Sequence, residues 1–315
     1  NHKFIVGSSW IQSRYSTALS GVGSGIIKEF MDDFLKEYYP ETKYEGLVTN
    51  AAIYLQDTMS FDDKWSLIPG IRYDHHSNYG NHWSPKIAAN YRASEKTKLY
   101  ASWGHTFNAP TIAYLYHSTL GNTNLTPETG STLSVGFEHN LDEKTNLSMG
   151  MFYSKVSDRI SVYRQMQFRN LPVDTTVKGI EVEFRKKIDD KWSYNLGYSH
   201  TNMEKTTANL YNPQPNGYRI GLRYNCGRWK ANLLGVMASA IHNTYTHSND
   251  TGYYDTIYGP KKYALFDFNI SYDVNDNTTI YFKTLNFTNQ DYAYGSVENS
   301  TPEGRFFQIG ATYKF

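Results

Sequence analysis

The strongest constraint on the fold of this chain is a period of two in the order of its apolar and polar residues. Over 191–200, the apolar residues Trp192, Tyr194 and Leu196 alternate with serine, asparagine and glycine, and the segment 266–274 repeats the pattern. This period is that of β-strands with one apolar and one polar face. Because a soluble antiparallel sandwich shows the same alternation, the pattern alone predicts only an all-β chain.

The lengths of the connections between strands indicate which kind of all-β fold the chain adopts. Every second connection is a tight polar turn, such as Asp62-Asp63 or Asp189-Asp190, whereas the others are mostly long, such as 18–44 and 243–262. Short turns at one end and long loops at the other are typical of an antiparallel transmembrane β-barrel. The alternation predicts about fourteen strands, at 3–17, 45–61, 64–77, 82–94, 97–109, 130–141, 146–160, 174–188, 191–204, 216–226, 229–242, 263–275, 278–290 and 303–315.

The composition agrees with a barrel once the faces are separated. The chain of 315 residues has 28 tyrosines and 16 phenylalanines, yet its mean hydropathy is −0.61. In a barrel, the polar face and the loops lower this average, and tyrosine marks the interface girdles. The net charge of +1 gives no general attraction to nucleic acid. The single cysteine, Cys226, excludes an intramolecular disulfide framework.

Several segments, in order along the chain, resemble the TonB-dependent outer-membrane receptors. They are Tyr54-Leu55-Gln56-Asp57, Gly70-Ile71-Arg72-Tyr73-Asp74, Ser84-Pro85-Lys86, the stretch 100–110 ending in Phe107-Asn108-Ala109-Pro110, Leu115-Tyr116, the stretch from Gly121-Asn122 to Pro127-Glu128, and Leu285-Asn286-Phe287 with Gly304-Arg305. Asn108 and Thr123 stand where the family usually has arginine and proline. The order and spacing of these segments over about 50–315 carry the resemblance.

The resemblance implies a receptor that imports a scarce ligand, such as a ferric siderophore, haem or cobalamin. The energy would come from TonB through an N-terminal plug domain. Because the family's barrel has about 22 strands, we expect residues 1–315 to be a single barrel domain, the C-terminal part of that barrel, with the plug absent from this chain. The alternatives are a passive fourteen-stranded porin for small solutes and a soluble β-sandwich. An enzyme is not expected, since no nucleophile–base arrangement can be placed on one barrel face.

The resemblance also implies partners and a location. The chain stops at Phe315, in phase with the apolar face of its last strand. Outer-membrane proteins end in such an aromatic strand, which the barrel assembly machinery recognises. We therefore expect the outer membrane of a Gram-negative bacterium, with its lipid and lipopolysaccharide, to surround the barrel.

Candidate ligand-binding residues lie in the long loops. His117, beside Tyr116, occupies the position at which haem receptors of this family place an axial histidine, and imidazole is a good iron ligand. Tyr245, His247, Tyr253 and Tyr254 lie in the loop 243–262, where tyrosine could stack on a planar ligand or hydrogen-bond a siderophore. For both groups, ordinary loop packing is the alternative. No cofactor is expected beyond the imported haem or ferric siderophore itself.

Three further patterns have structural interpretations. His75, His76 and His82 surround a short turn but lack a recognised metal-ligand spacing. The charged residues Glu181, Glu183, Arg185, Arg219 and Arg223 are predicted to face the lumen and to contact the plug or pair across strands. Finally, the segment 26–38 has apolar residues at helical spacing and predicts a short helix in the first long loop.

Overall fold

A computed structural model of the protein describes residues 1–17, 44–117, 120–163, 167–203, 215–239, 245–248, 254–257, 262–290 and 304–315. The strands are β1 (His2–Thr17), β2 (Tyr44–Ser60), β3 (Trp65–His76), β4 (Gly80–Arg92), β5 (Thr97–Asn108), β6 (Glu128–Asp142), β7 (Thr145–Ser157), β8 (Ile160–Tyr163), β9 (Gln167–Asn170), β10 (Thr175–Lys187), β11 (Trp192–Met203), β12 (Asn216–Cys226), β13 (Trp229–Ala238), β14 (Tyr245–Ser248), β15 (Tyr254–Ile257), β16 (Tyr263–Asp273), β17 (Thr278–Leu285) and β18 (Phe306–Tyr313). Within these described ranges there is one helix, α1 (Ile112–Tyr116), between β5 and β6.

Fourteen of these strands form one antiparallel sheet, in the order β1-β2-β3-β4-β5-β6-β7-β10-β11-β12-β13-β16-β17-β18. Each strand therefore pairs with the next sheet strand in the sequence, as the pattern of turns predicted. The pairs β8–β9 and β14–β15 are separate two-stranded hairpins in the long loops. In the described part of the chain, β1 and β18 do not pair with each other, so the sheet is an open portion of a barrel wall.

The strand register separates the residues into two faces. Asn140 opposes Asn146, and the row continues through Arg185 to Asn195. Since residues directly opposite each other in an antiparallel pair share a face, this row belongs to one polar surface, which we call the polar wall. The residues one position further along each strand form a second row on the other, apolar face. This row consists of Leu147, Phe184, Leu196 and Ile220. The alternation predicted from the sequence is thus confirmed.

The sheet is a single layer with little interior. Among the described residues, the buried hydrophobic side chains are Ala52, Leu115, Leu125, Leu171 and Tyr263. On the apolar face, Val6 and Leu133 are instead 75% and 48% exposed. A soluble sandwich would bury such a face against a second sheet. The structure therefore does not support the sandwich alternative.

Side chains close the short turns, whose shared edge we call the short-turn rim. Asp62 Oδ1 accepts the backbone N–H groups of Lys64 and Trp65, both at 2.7 Å. Asp189 does the same for Lys191 and Trp192, at 2.8 and 2.7 Å. The first residue of three more turns also accepts an N–H two residues on; these residues are Ser94, Asp142 and Asn275. Such turns form because a short side-chain oxygen reaches the nearby backbone.

Aromatic pairs lie on the apolar face beside three of these turns. The pairs, with their ring-centroid distances, are Trp65–Tyr91 at 4.2 Å, Trp192–Tyr224 at 4.5 Å and Trp229–Tyr272 at 4.7 Å. In each pair the tryptophan is the first residue of its strand. This is the position of an interface girdle in a membrane barrel.

The predicted elements differ from the observed ones mainly at the other edge, the long-loop rim. The strand predicted at 146–160 ends at Ser157, because Asp158 adopts a positive φ of 55°. The predicted loops 161–173 and 243–262 contain the β8–β9 and β14–β15 hairpins. The helix predicted at 26–38 lies outside the described residues. No described helix has the length and apolar character needed to cross a membrane.

Candidate functional site

At the long-loop rim, two loops that are distant in sequence are joined by hydrogen bonds. We call this unit the loop latch; it consists of α1, the segment 120–127 and the β8–β9 hairpin. Its bonds run from Phe168 N to Leu120 O (2.8 Å), from Asn122 Nδ2 to Phe168 O (2.7 Å), from Gln167 Nε2 to Gly121 O (2.8 Å), from Thr126 N to Asn170 Oδ1 (2.9 Å) and from Asn170 Nδ2 to Thr126 O (2.9 Å). Backbone groups of each loop are thus satisfied by the other loop.

Local sequence shapes the first half of the latch. Thr111 caps α1 by accepting the Tyr114 N–H at its Oγ1, at 3.2 Å. The Gly121 N–H then donates to His117 O at 2.9 Å. A Cβ on Gly121 would lie 2.6 Å from both the N and the O of His117. The chain can therefore fold back after α1 only because this position has no side chain.

Apolar burial holds the two halves of the latch together. Leu115, Leu125 and Leu171 are 4%, 2% and 3% exposed. They come from α1, from the following segment and from the end of the hairpin, respectively. The rings of Tyr114 and Phe168 pack across the same junction at 4.5 Å. Three of the five buried hydrophobic side chains among the described residues therefore lie in or beside the latch.

Glu128 ties the latch to the sheet. Its Oε1 accepts the Ile160 N–H at 2.7 Å, and its Oε2 accepts Asn108 Nδ2 at 2.9 Å. Asn108 is one of the two positions at which the sequence departs from the family pattern, and its amide here holds the carboxylate in place. The motif residues from Gly121 to Glu128 therefore organise the rim.

The structure places Tyr116 and His117 at the end of α1. Tyr116 is the last helical residue and is half-buried, whereas His117 is the exposed C-cap. His117 Nδ1 accepts the Leu120 N–H at 3.2 Å. In the neutral ring, the proton then lies on Nε2, so iron ligation through Nε2 would require this bond to break. Haem ligation by His117 stays a prediction.

The second predicted group is only partly described. Tyr245 and His247 lie in β14 and Tyr254 in β15, where Tyr245 opposes Ile257 and His247 opposes Asp255. Tyr253 lies outside the described residues. Their backbones form a hairpin at the long-loop rim, and their role in ligand binding stays a prediction.

The three histidines near 75–82 are used as hydrogen-bonding groups. His75 Nδ1 lies 2.7 Å from Asn81 Oδ1, and His82 Nε2 lies 3.0 Å from Tyr79 O. His76 Nδ1 accepts the backbone N–H of Asn78 at 3.2 Å. Among the described residues, no group of three or more histidine, cysteine or acidic side chains is arranged to hold a metal ion. His76 is itself buried, with 5% of its surface exposed, so this turn is packed as well as hydrogen-bonded.

Aromatic packing joins this turn to its surroundings. The His82 ring stacks on Phe107 with centroids 3.7 Å apart, and the His76 ring lies 5.0 Å from that of Tyr79. Burial raises the pKa of the Tyr79 hydroxyl, and the neighbouring Tyr116 raises it further. The turn at His75–His82 and the end of α1 are consequently neighbours at the long-loop rim.

Charges of the polar wall pair both across and along strands. Lys230 Nζ on β13 lies 2.8 Å from Asp273 Oδ2 on the neighbouring strand β16. Arg72 Nε lies 2.8 Å from Asp74 Oδ2, and Arg185 Nη2 lies 2.6 Å from Glu183 Oε2. Each of these two pairs joins residues two apart on one strand, so Glu183 and Arg185 pair along β10 and not across strands as predicted. The reason is geometric, since residues i and i+2 of a strand lie on the same face. Arg223 instead lies 3.4 Å from Asn232 Oδ1 on the next strand.

Sequence reasoning missed the half of the latch supplied by β8–β9. The sequence pattern predicts an ordinary loop at 161–173, so it gives Phe168, Asn170 and Leu171 no role. The alternation in Ile160-Ser161-Val162-Tyr163 was the available signal for a hairpin. No local pattern indicates its partner, since Asn170 bonds Thr126, 44 residues away in the sequence.

These features define a class of protein, the membrane β-barrel whose wall is a single antiparallel sheet. Residues 1–288 match the family described as TonB dependent receptor-like, beta-barrel. The chain belongs to this family. The resemblance seen in the motifs is thereby confirmed.

Individual relatives are distant in sequence. The chain is 25% identical over 267 residues to the vitamin B12 transporter BtuB of Vibrio cholerae, covering 80% of this chain and 40% of that protein. It is 22% identical over 354 residues to the probable TonB-dependent siderophore receptor PiuA of Acinetobacter baumannii, covering 99% and 46%. The chain thus spans less than half the length of these relatives, which are named as transporters and receptors.

Solved structures show the same fold over the whole chain. The copper transporter OprC aligns with a TM-score of 0.78 at 17% identity, covering 100% of this chain and 55% of that one. The siderophore receptor PirA of Acinetobacter baumannii aligns with a TM-score of 0.76 at 16% identity, covering 100% and 52%. At this identity the likeness establishes the architecture.

Proposed function

We propose that this chain forms part of the barrel of an outer-membrane receptor in a Gram-negative bacterium. The receptor imports a scarce ligand, a ferric siderophore or haem, with energy supplied by TonB through a plug domain. Membership of the family supports this proposal, as do the names of the relatives, which include a siderophore receptor and a vitamin B12 transporter. The function is transport, with no chemical step.

The loop latch is the observation that carries the proposal. A passive pore needs only a wall and an opening, whereas a receptor needs a surface that holds its shape before the ligand arrives. The latch meets this need, because it buries three leucines and joins loops from two hairpins at one rim. Tyr114 and Phe168 supply aromatic surface there.

Within this function, we propose the siderophore rather than haem as the ligand. His117 Nδ1 is occupied by the Leu120 N–H, which places the proton of the neutral ring on the nitrogen that iron would need. The aromatic and amide groups of the latch suit a ligand bound by stacking and hydrogen bonds. Haem titration of the receptor with and without His117→Ala tests the point, since an unchanged haem spectrum would remove the ligation hypothesis.

The function is tested by uptake in cells that produce the whole receptor. The probes are radiolabelled ferric enterobactin, ferric desferrioxamine, haem and cyanocobalamin, each with and without an uncoupler of the proton-motive force. One probe should accumulate in an uncoupler-sensitive manner. Asn170→Leu, which removes the side-chain bonds to Thr126, should weaken its surface binding by about tenfold, or about 1.4 kcal/mol.

Asn225→Leu provides the matched control, since this exposed asparagine lies beside a short turn at the opposite rim. Its ligand binding should equal that of the unaltered receptor. A passive porin would instead take up all four probes equally with and without the uncoupler. It would also show steady ion conductance in planar bilayers.

Two partners complete the proposal. Phe315 is fully exposed, and its ring lies edge-on to Tyr313 at 5.2 Å. Its ring and that of Tyr313 are the proposed contact for the barrel assembly machinery. The apolar face would contact membrane lipid along its length.

A further inference from the structure

The turn at His75–His82 lies beyond the apolar band of the wall. On the apolar face, Tyr73 and Trp83 oppose each other on β3 and β4 with ring centroids 4.6 Å apart, and Trp83 is 57% exposed. An aromatic pair near the strand ends is typical of the interface girdle of a membrane barrel. Because His76 follows Tyr73 by three residues toward the loops, it lies outside this girdle, at the same rim as the latch.

The hydrogen bond of His76 requires a neutral ring. Its Nδ1 accepts the backbone N–H of Asn78 at 3.2 Å, and a charged imidazolium, which has an N–H on both nitrogens, cannot accept it. His75 and His82 instead place a ring nitrogen 2.7 and 3.0 Å from an acceptor oxygen, so each donates a bond that it would keep when charged. Of the three histidines in this turn, His76 is therefore the one whose bond is lost on protonation.

The surroundings of His76 oppose a positive charge on its ring. Among the described residues, the titratable and charged groups around it are Asp74, Arg72 and His75 on its own strand, His82 on β4, Tyr79 in the turn and, beyond Tyr79, Tyr116 of α1. Asp74 favours the charge, but its two oxygens already accept Nε and Nη2 of Arg72 at 2.8 and 2.9 Å. Burial lowers the pKa of His76 below its ordinary 6.5, and the neighbouring His82 lowers it further.

The lowered pKa fixes the direction of the pH dependence. The neutral ring of His76 contributes stability that is fully present above the unfolded pKa and is lost as the pH falls through the folded value. The stability in question is that of the turn, since the ring bonds Asn78 and is packed 5.0 Å from the ring of Tyr79. Mild acid should therefore open this turn.

Tyr79 connects the turn to the loop latch. Its backbone N–H donates to His76 O at 3.2 Å, so its position depends on the closed turn. Its hydroxyl is near enough to Tyr116, the last residue of α1, for Tyr116 to raise the pKa of Tyr79. The preceding residue of α1, Leu115, is 4% exposed and belongs to the buried part of the latch. A movement of the turn therefore reaches the latch through the end of α1.

We propose that His76 is a pH-sensitive support of the loop latch. In its neutral form it keeps the turn closed, so that Tyr79 lies beside Tyr116 and α1 is held at the rim. In mildly acidic surroundings the ring takes up a proton from the solvent, gives up the Asn78 bond and loosens the latch, which lowers the affinity for the imported ligand. The effect on affinity rests on the receptor function proposed above, whereas the loosening of the latch does not.

The first test combines amide hydrogen exchange of the whole receptor in detergent with an NMR titration of the His76 ring. After correction for the intrinsic exchange rate, the protection of the Asn78 amide should fall about tenfold between about pH 7.5 and about pH 5, and that of the Phe168 amide in the latch about threefold. Both losses should follow the titration of the His76 ring, with a midpoint below 6.5. Constant protection would overturn the proposal, as would a loss of protection while this ring stays neutral.

His76→Asn places an amide oxygen near the position of Nδ1, where it can accept the Asn78 N–H without titrating, so protection should be equal at both pH values. His75→Asn is the matched control, the same substitution at the exposed neighbour, and should keep the acid response. His117 Nδ1 also accepts a backbone N–H, that of Leu120. Disappearance of the response in His117→Asn, or its persistence in His76→Asn, would overturn the proposal. If His76→Asn lacks protection at both pH values, the ring titration of the unaltered receptor decides.

The second test measures binding, with ferric enterobactin and ferric desferrioxamine as the probes. A probe that binds the unaltered receptor should bind about threefold more weakly at about pH 5.5 than at about pH 7.5, and His76→Asn should remove the difference. Unchanged affinity in a receptor whose turn opens would overturn the regulatory role of His76. Binding of neither probe at either pH would instead contradict siderophore uptake, and the exchange measurements would still decide whether His76 controls the latch.

Discussion

The two rims of the sheet are built by different means. At the short-turn rim, five turns are closed by a side chain bonding the backbone two or three residues on, as Asp62 does with Lys64 and Trp65. At the long-loop rim, the latch is closed by bonds such as that between Asn170 and Thr126, 44 residues apart. The first rim is closed by bonds within each turn, with added links between neighbouring turns such as that from Arg228 Nη1 to Val274 O at 2.9 Å, whereas the second depends on loops meeting in space. A single substitution should therefore affect one turn at the first rim and the whole latch at the second.

The largest expected effect is that of Leu171→Ala in the latch. Truncating a leucine that is 3% exposed should cost about 2–4 kcal/mol of local stability, through lost burial and the cavity left behind. Hydrogen exchange of the Phe168 and Leu171 amides, which donate to Leu120 O and Arg159 O, should then accelerate, tenfold for each ~1.4 kcal/mol. Ile188→Ala is the control at the other rim, where the side chain is 51% exposed and the effect should be small. Equal acceleration at both rims would contradict the comparison.

A second prediction concerns Gly121→Ala. The added Cβ would meet the backbone of His117 at 2.6 Å and Leu115 O at 2.8 Å. Backbone atoms cannot move aside as a side-chain end can, so the latch should lose about 1–3 kcal/mol. Protease sensitivity of the segment around 117–127 should rise while the heat-modifiable barrel remains intact. Unaltered cleavage would show that the turn after α1 has more room than the structure indicates.

A smaller effect is expected from Gly227→Ala in the short turn between β12 and β13. Gly227 has a φ of 59°, and no atom lies within 4 Å of the position of its missing Cβ. The cost is therefore backbone strain alone, about 1 kcal/mol. It should appear as faster exchange in this hairpin with no change in the neighbouring turns. Faster hydrogen exchange in other turns as well would show that the turns of the short-turn rim are energetically coupled.

The smallest expected effect is a loss of amide protection at the short-turn rim in acid. Backbone N–H groups of Trp65 and Lys64 lower the pKa of Asp62 from its ordinary 3.8, and those of Trp192 and Lys191 do the same for Asp189. A lowered pKa contributes stability that is fully present above the unfolded pKa and is lost as the pH falls through the folded value. The Trp65 and Trp192 amides should therefore keep their protection between about pH 7 and pH 5 and lose it only below about pH 4.

The control for the acid response is Asp62→Asn/Asp189→Asn, which keeps the acceptor oxygen but removes its titration. The acid-induced loss of protection at Trp65 and Trp192 should then disappear. Persistence of that loss in the double variant would assign it to other groups.

The same contrast explains what the sequence predicted. The strands and the polar wall follow from a period of two, which each strand displays within its own residues, as Trp192, Tyr194 and Leu196 do. Five short turns follow from Asp, Ser or Asn at their first positions, and the turn after β12 follows from Gly227 with its positive φ. Strand ends at the long-loop rim were less accurate, since the positive φ of Asp158 ends β7 early.

The latch could be predicted only in part. The segment from Gly121 to Glu128 was singled out through its family resemblance, but its partner hairpin was not. The reason is that Asn170 and Phe168 act by hydrogen-bonding Thr126 and Leu120, which lie near them only in the folded chain. His117 was chosen for its chemistry, and its bond to Leu120 shows how a loop can occupy a nitrogen that chemistry alone would leave available.

The consecutive order of strands in the sheet has a consequence for modularity. Every sheet strand bonds only to its neighbours along the chain, so a hairpin is the unit in which the wall grows or shrinks. Removing β12 and β13 together, for example, would break the pairings of β12 with β11 and of β13 with β16 and leave all others in place. The circumference of the barrel, and with it the width of its lumen, can therefore change in steps of two strands while the remaining strand pairs stay the same.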